Sequence, residues 1–436
     1  MSGGRRPAST LSAETPPRPG PVRPRPEARR EPASGEGDGL LRVCWAGTPT
    51  VRVPAGVGPR TRSRGRAWTL RGGSTGTGRC LVAHDERRLE VLRAVVHTSA
   101  MSPDGQYAYM VGPREPTADG TPDPAGAWTM IKLDALTLQP VSQITIGARL
   151  HHGQVFRNKV LFDVFARNPD GLGLFLFDPE TDEITGGIKD VDMGGFIYTV
   201  WTDKDYEYIY ALMEPAGYAP GRGTGMQGMR RIYQGNLMAM RPFWIAKIDP
   251  DTWEVVAEYP IPGYRPNWAV IDSAKEYIYP IMSSSNASKV DVNTGEVIWT
   301  NGTGIGPYGA SLNADETELW VADKGEAAHH LGRTITIIDT ESGHAVETLY
   351  GPYKTDHVLL SPNGKEMWAT SNGEGRIFVY DAESKELIQK IDMPGNGDAH
   401  GLIWVHYDEN GESRTVRDQG NFHGGINPAE GAILDY

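Results

Sequence analysis

The chain has 436 residues, of which 39% are apolar, and a formal net charge of −12 with a pI near 5.5. An acidic balance of that size excludes sequence-independent nucleic-acid binding, which needs a basic surface. No apolar run reaches membrane-span length, so no membrane span is expected. The two cysteines, Cys44 and Cys80, both precede the repeats described below, so thiolate zinc, iron–sulfur and blue-copper sites are not expected there.

Residues 1–85 contain fifteen Arg and no Lys among many Pro and Gly. Such a composition buries too little apolar surface to offset its ordering entropy, so a disordered extension is expected. It shows no compact apolar segment followed by a small-residue cleavage site, so no recognisable signal peptide is present and a cytoplasmic, bacterial location is the expectation. ERRLEVLRAVV at 86–96 reads as a lone strand.

From there a motif recurs: an apolar strand, an Asp, a polar turn and another apolar strand. It centres on Asp134, Asp178, Asp249, Asp291, Asp339 and Asp381, and breaks off at Asp435, with spacings of 44, 71, 42, 48, 42 and 54 residues. Periods of about 40–50 residues with short strands are those of propeller blades. SPDGQYAYMVG at 102–112 and SPNGKEMWATS at 361–371 read as the turn between the two inner strands of a blade. Seven copies predict an all-β, seven-bladed β-propeller over 86–436. The last blade lacks an outer strand, which 86–96 is expected to supply, closing the ring and removing an open edge.

Eight histidines of the repeats fall in loops assigned to one face. His97, His152, His357 and His400 stand where the chain enters an innermost strand, and His151 adjoins His152. His329 and His330 fall in one connection between middle strands, and His423 in another, while His344 and His406 lie elsewhere. Neutral imidazole is the commonest ligand for copper, zinc and iron, and side chains from separate blades can preform such a site. His97, His151, His152, His357, His400 and His423 are the candidate metal ligands. Asp356 and Asp398 adjoin two of them and are candidate acceptors for ring N–H groups. His400, His423 and Asp356 are the catalytic candidates. An insertion at 214–242, rich in Met, carries Arg230, Arg231 and Tyr233. With His330, these are the candidate substrate-binding residues under a lid-like loop.

The copies resemble the YVTN-type propeller repeats of bacterial proteins, over about 86–436. Within that superfamily, HTSAMSPDGQYAYMVG at 97–112 is similar to the opening of the haem d1 propeller of the cytochrome cd1 nitrite reductases. That resemblance implies His97 as proximal haem ligand and His357 or His400 as distal. The Cys-x-x-Cys-His haem c motif of that family is absent. The pattern of an adjacent His pair with single His from other blades also resembles the copper propellers: nitrous oxide reductase, thiocyanate dehydrogenase and the methanethiol oxidase/selenium-binding family. Those resemblances imply a copper- or haem-iron-dependent oxidoreductase acting on a small molecule, with an electron-transfer partner. The alternatives are a propeller lyase or lactonase, as in virginiamycin B lyase, with a histidine as general base, and a non-catalytic binding scaffold.

Overall fold

In the computed structural model the described residues are 40–46, 78–81, 98–113, 128–146, 150–164, 171–215, 242–325, 331–393, 396–397, 399–408 and 410–436. Contacts divide the chain into 1–37, which lies outside the described residues, and a compact unit over 38–436.

The fold is an all-β propeller. Six four-stranded antiparallel blades are each built from four consecutive strands: β3–β6 within 98–145, β7–β10 within 150–189, β11–β14 within 195–260, β15–β18 within 266–302, β19–β22 within 310–350, and β23–β26 within 355–392. The first strands of successive blades pack against one another around a central axis. Trp244, Trp268, Trp320 and Trp404 are fully buried in the core.

The repeated Asp explains why each blade has the same outer hairpin. Asp134, Asp178, Asp249, Asp291, Asp339 and Asp381 each end the third strand of a blade. The carboxylate of each accepts backbone N–H bonds from the next two or three residues, as at Thr137 (2.8 Å) and Ser384 (2.7 Å). Four positions beyond each Asp the backbone enters the left-handed region: Leu138, Asp182, Trp253, Gly295, Gly343 and Lys385 have φ between 57° and 75°. A ladder register shift follows in every copy. Where the Asp N–H bonds the carbonyl five positions on, at 2.9 Å in the Asp134, Asp291 and Asp381 copies, it closes a four-residue hairpin loop that fixes strand pairing by turn chemistry.

Among the described residues the count of six complete blades is one fewer than the seven expected. The segment around the seventh Asp, Asp435, docks on the sixth blade, where Leu434 N–H bonds the Pro362 carbonyl at 3.1 Å. The remaining strands of that region, β27 (Gly401–Tyr407) and β28 (Ser413–Arg417), join β1 (Leu40–Ala46) and β2 (Gly78–Leu81) in a further sheet of order β2-β1-β27-β28. β1 pairs antiparallel with β27, but β1 and β2 run parallel, so this sheet is not an up-and-down blade. β1, from within the segment expected to be disordered, thus pairs with β27, whereas 86–96 was expected to add the outer strand of the last blade. Cys44 and Cys80 lie in β1 and β2 rather than ahead of the fold. Residues 86–96 lie outside the described residues. No helix among the described residues is long and apolar enough to cross a membrane.

Candidate metal centre

Four strands that line the axis carry a β-bulge near where they enter the fold, and three of these bulges bear the residues of the site. The β7 ladder (Leu150–Phe156) shifts register between Leu150 and Gly153, around His151 and His152. The β23 ladder (Thr355–Leu360) shifts between Thr355 and Val358, around Asp356 and His357. In β11 (Gly195–Thr202) the shift flanks Tyr198. Neighbours in a regular strand point to opposite faces, but a bulge re-aims one of them. So the rings of His151 and His152 stand only 3.9 Å apart.

The outcome is a buried group of three imidazoles from three sheets. His152, His357 and His400 each place one ring nitrogen within 4.8 Å of the others. The His357 and His400 rings meet edge to face at 4.7 Å, and His152 stacks parallel to His400 at 6.0 Å. Trp268, in β15 (Pro266–Ile271), holds the His357 ring edge to face at 4.4 Å, and Tyr308 faces it at 5.3 Å. Gly309 is required by this packing: a Cβ there would lie 2.5 Å from the His357 ring.

Asp356 organises the group. Its Oδ2 lies 2.5 Å from His400 Nδ1 and 3.3 Å from His357 Nδ1, and its Oδ1 lies 2.8 Å from Lys324 Nζ. A carboxylate accepts, so His400 donates Nδ1–H and keeps the Nε2 lone pair for a ligand. Burial alone would raise the Asp356 carboxyl, but Lys324, His400 and His357 together hold it well below the usual range. Burial pushes His357 down to about 4, against the attraction of Asp356, and also lowers His152, against Asp163. Both rings are therefore neutral at pH 7, the form that ligates metals. The His357 Nε2 atom is buried without a hydrogen-bond partner among the described residues.

A second group shares His152. His151, His152 and Asp163 also place ligand atoms within 4.8 Å of one another. Asp163, in β8 (Lys159–Val164), accepts the His152 backbone N–H at 2.8 Å. His151 Nδ1 lies 2.7 Å from the Tyr198 carbonyl, so Nδ1 bears that ring's proton. The Tyr198 hydroxyl donates to that of Tyr308 at 3.2 Å.

His423 does not join these residues. Its Nδ1 lies 2.8 Å from the Tyr206 hydroxyl and its Nε2 2.9 Å from Asp418. Tyr206 follows the far end of β11, whereas His152 Nδ1 bonds the Thr199 hydroxyl in the middle of that strand, at 2.8 Å. Three strand residues, about 10 Å, separate Thr199 from that end. The chain reverses after β28 and carries His423 away from the loops where it was placed. His97, Arg230, Arg231, Tyr233, His330 and Asp398 lie outside the described residues. Lys324, Asp163, Trp268 and the Tyr198–Tyr308 pair were not singled out from the sequence. Asp163 had a visible signal, a lone carboxylate inside the apolar run VLFDVF, and Lys324 ends the strand ELWVAD by one residue.

No family model matches the chain, and no curated protein matches it. Among solved structures it is similar to dihydro-heme d1 dehydrogenase NirN in complex with DHE, at 15% sequence identity and a TM-score of 0.46. The match covers 71% of this chain and 59% of that one, so the chain spans less than two thirds of that structure's length.

Proposed function

We propose that the protein is a metal-dependent oxidoreductase acting on a small molecule, with one transition-metal ion held by His152, His357 and His400. The observation that carries this reading is the convergence of three buried ring nitrogens within 4.8 Å, two of them on rings that burial keeps neutral. Structural imidazoles are usually satisfied by hydrogen bonds, whereas His357 Nε2 is not. Metal–nitrogen bonds of about 2.0–2.1 Å need ligand nitrogens roughly 3.4 Å apart, which small rotations of these rings provide. The donor set is all imidazole with no thiolate, which suits copper or zinc. Copper, when bound, supplies one-electron chemistry that zinc does not.

A bare ion fits the packing better than a haem. The rings of Trp268, Tyr308 and His400 crowd His357 at 4.4, 5.3 and 4.7 Å, leaving little space for a macrocycle on that histidine. The surrounding residues have separable tasks. Asp356 orients His400, Lys324 balances the Asp356 charge, and the Tyr198–Tyr308 hydroxyl pair can pass a proton beside the histidines. The lyase reading needs a histidine as base, and His357, pushed down to about 4, is a poor base at neutral pH.

Protein purified without chelator, and protein reconstituted with copper, iron or zinc, should be measured by elemental analysis and by visible and electron paramagnetic resonance spectra. Near one metal ion per chain is expected. His152→Ala, His357→Ala and His400→Ala should each lower it, whereas His344→Ala, at an exposed hairpin residue, should not. Protein that stays metal-free under all three conditions would remove the proposal's basis.

A further inference from the structure

The central channel has a second polar feature away from the three histidines. A cavity of about 50 Å³ lies among the turns after the first strands of several blades. Leu360 lines it, three residues along β23 from His357, which puts it about 10 Å away. Arg417, at the end of β28, also lines it and is 5% exposed. Its guanidinium stacks on the Phe422 ring at 4.4 Å, and it makes no hydrogen bond or ion pair among the described residues. The adjacent Asp418 carboxylate is committed elsewhere: it accepts the N–H groups of Val155, Gly420 and Asn421 at 2.7, 2.8 and 3.0 Å and faces His423. The buried amide nitrogen of Asn427 lies at the same cavity, with the Glu430 carboxylate as a neighbouring acceptor. Burial pushes Arg417 down to about 10, so it is still a cation at neutral pH.

A buried, unpaired guanidinium is costly, and arginine is suited to gripping planar oxyanions with two parallel N–H groups. Each enclosed water needs about 10–15 Å³, so the cavity admits three or four waters, or an anion of about four heavy atoms. Asp272 and Glu316 also line it, both raised by burial. Their carboxylates disfavour a dianion more than a monoanion.

We propose that this end of the channel binds a small monovalent oxyanion of carboxylate or nitrate type, held by Arg417 and Asn427. The site stands apart from the proposed metal centre and does not depend on it.

The test is thermal unfolding of the full chain after chelator treatment, with sodium acetate, nitrate or phosphate titrated at constant ionic strength. Sodium gluconate, too large for the cavity, serves as the balancing salt. Acetate and nitrate should raise Tm saturably, as ligands of the folded state do, and more than phosphate does. Arg417→Met should abolish the rise. Without anion it should melt at or above the wild type, because an uncompensated buried charge has been removed. Should Arg417→Met fail to fold, Asn427→Leu replaces it. That residue precedes a single 3-10 turn without a side-chain capping bond. Its apparent anion affinity should fall several-fold. No saturable rise over gluconate, an equal rise in the variants, or a stronger response to phosphate would each overturn the assignment.

Discussion

Asp356 holds His400 by a 2.5 Å contact from its Oδ2 to the ring Nδ1, while its other oxygen meets Lys324 at 2.8 Å. The carboxylate thus fixes the tautomer of one proposed ligand and balances one buried cation. Asp356→Asn should lower metal affinity about 10–100-fold, the usual effect of losing such an orienting partner. It also removes the charge that faces the buried Lys324 ammonium, at a stability cost of about 3–5 kcal/mol. The double variant Asp356→Asn/Lys324→Met should recover most of that stability without recovering metal affinity. Metal titration and denaturant midpoints measure the two effects separately. Unchanged affinity in the single variant would show that Asp356 does not orient the ligand.

The buried histidines give the metal-free protein a defined acid limit. His357 titrates near 6.5 when unfolded and is pushed down to about 4 when folded. Between those values the unfolded chain binds the extra proton, so stability is full above about 6.5 and falls as pH drops towards 4. A shift of that size corresponds to about 3 kcal/mol from this ring alone. His152 adds in the same direction. The depressed Asp356 carboxyl loses its contribution only below about pH 4, so it does not mask the effect. Asp323, raised to about 6 by burial, works in the opposite direction over the same window, so the test is comparative: from pH 7 to pH 4.5 the denaturant midpoint of chelated His357→Gln should rise relative to that of the wild type. An equal slope in the variant would place the sensitivity elsewhere.

β1 pairs with β27 over seven residues, from Leu40–Tyr407 to Ala46–Gly401. Removing it would leave a central edge of unpaired N–H and C=O groups. A chain lacking 1–37 should melt like the full-length protein, whereas one lacking 1–84 should melt lower and aggregate. Equal Tm for the two truncated chains would show that the β1–β27 pairing adds nothing to stability.

The repeated Asp and its turn were legible because they act locally: Asp291 and Thr294 hold one hairpin with a 2.8 Å bond and need nothing distant. The same locality misled at Asp435, whose segment docks on the sixth blade through Leu434. His152, His357 and His400 could be selected together because each stands where the chain enters a strand next to the axis. The bulges that turn both His151 and His152, and both Asp356 and His357, towards the axis leave no mark in composition. Nor does the chain reversal after Arg417, which moves His423 towards Tyr206. Lys324 was hidden because its partner, Asp356, is supplied by the next blade.

Trp268 is the residue that most restricts His357. It is 1% exposed, packs edge to face on His357 at 4.4 Å and on Trp201 at 4.7 Å, and donates its indole N–H to the Ala310 carbonyl at 3.0 Å. Trp268→Ala removes the wall and leaves a cavity, so unfolding should be easier by about 3–5 kcal/mol. The His357 ring would then be free to rotate, and metal affinity should fall with it. Trp268→Phe keeps an aromatic wall and loses chiefly the hydrogen bond, which costs about 1–3 kcal/mol through the unpaired carbonyl. If ring bulk positions His357, the Phe variant should bind metal nearly as the wild type does while unfolding earlier. If both variants lose metal equally, the indole N–H anchor to Ala310 sets the histidine's position instead. Metal titrations of both variants, read alongside their denaturant midpoints, decide between the two.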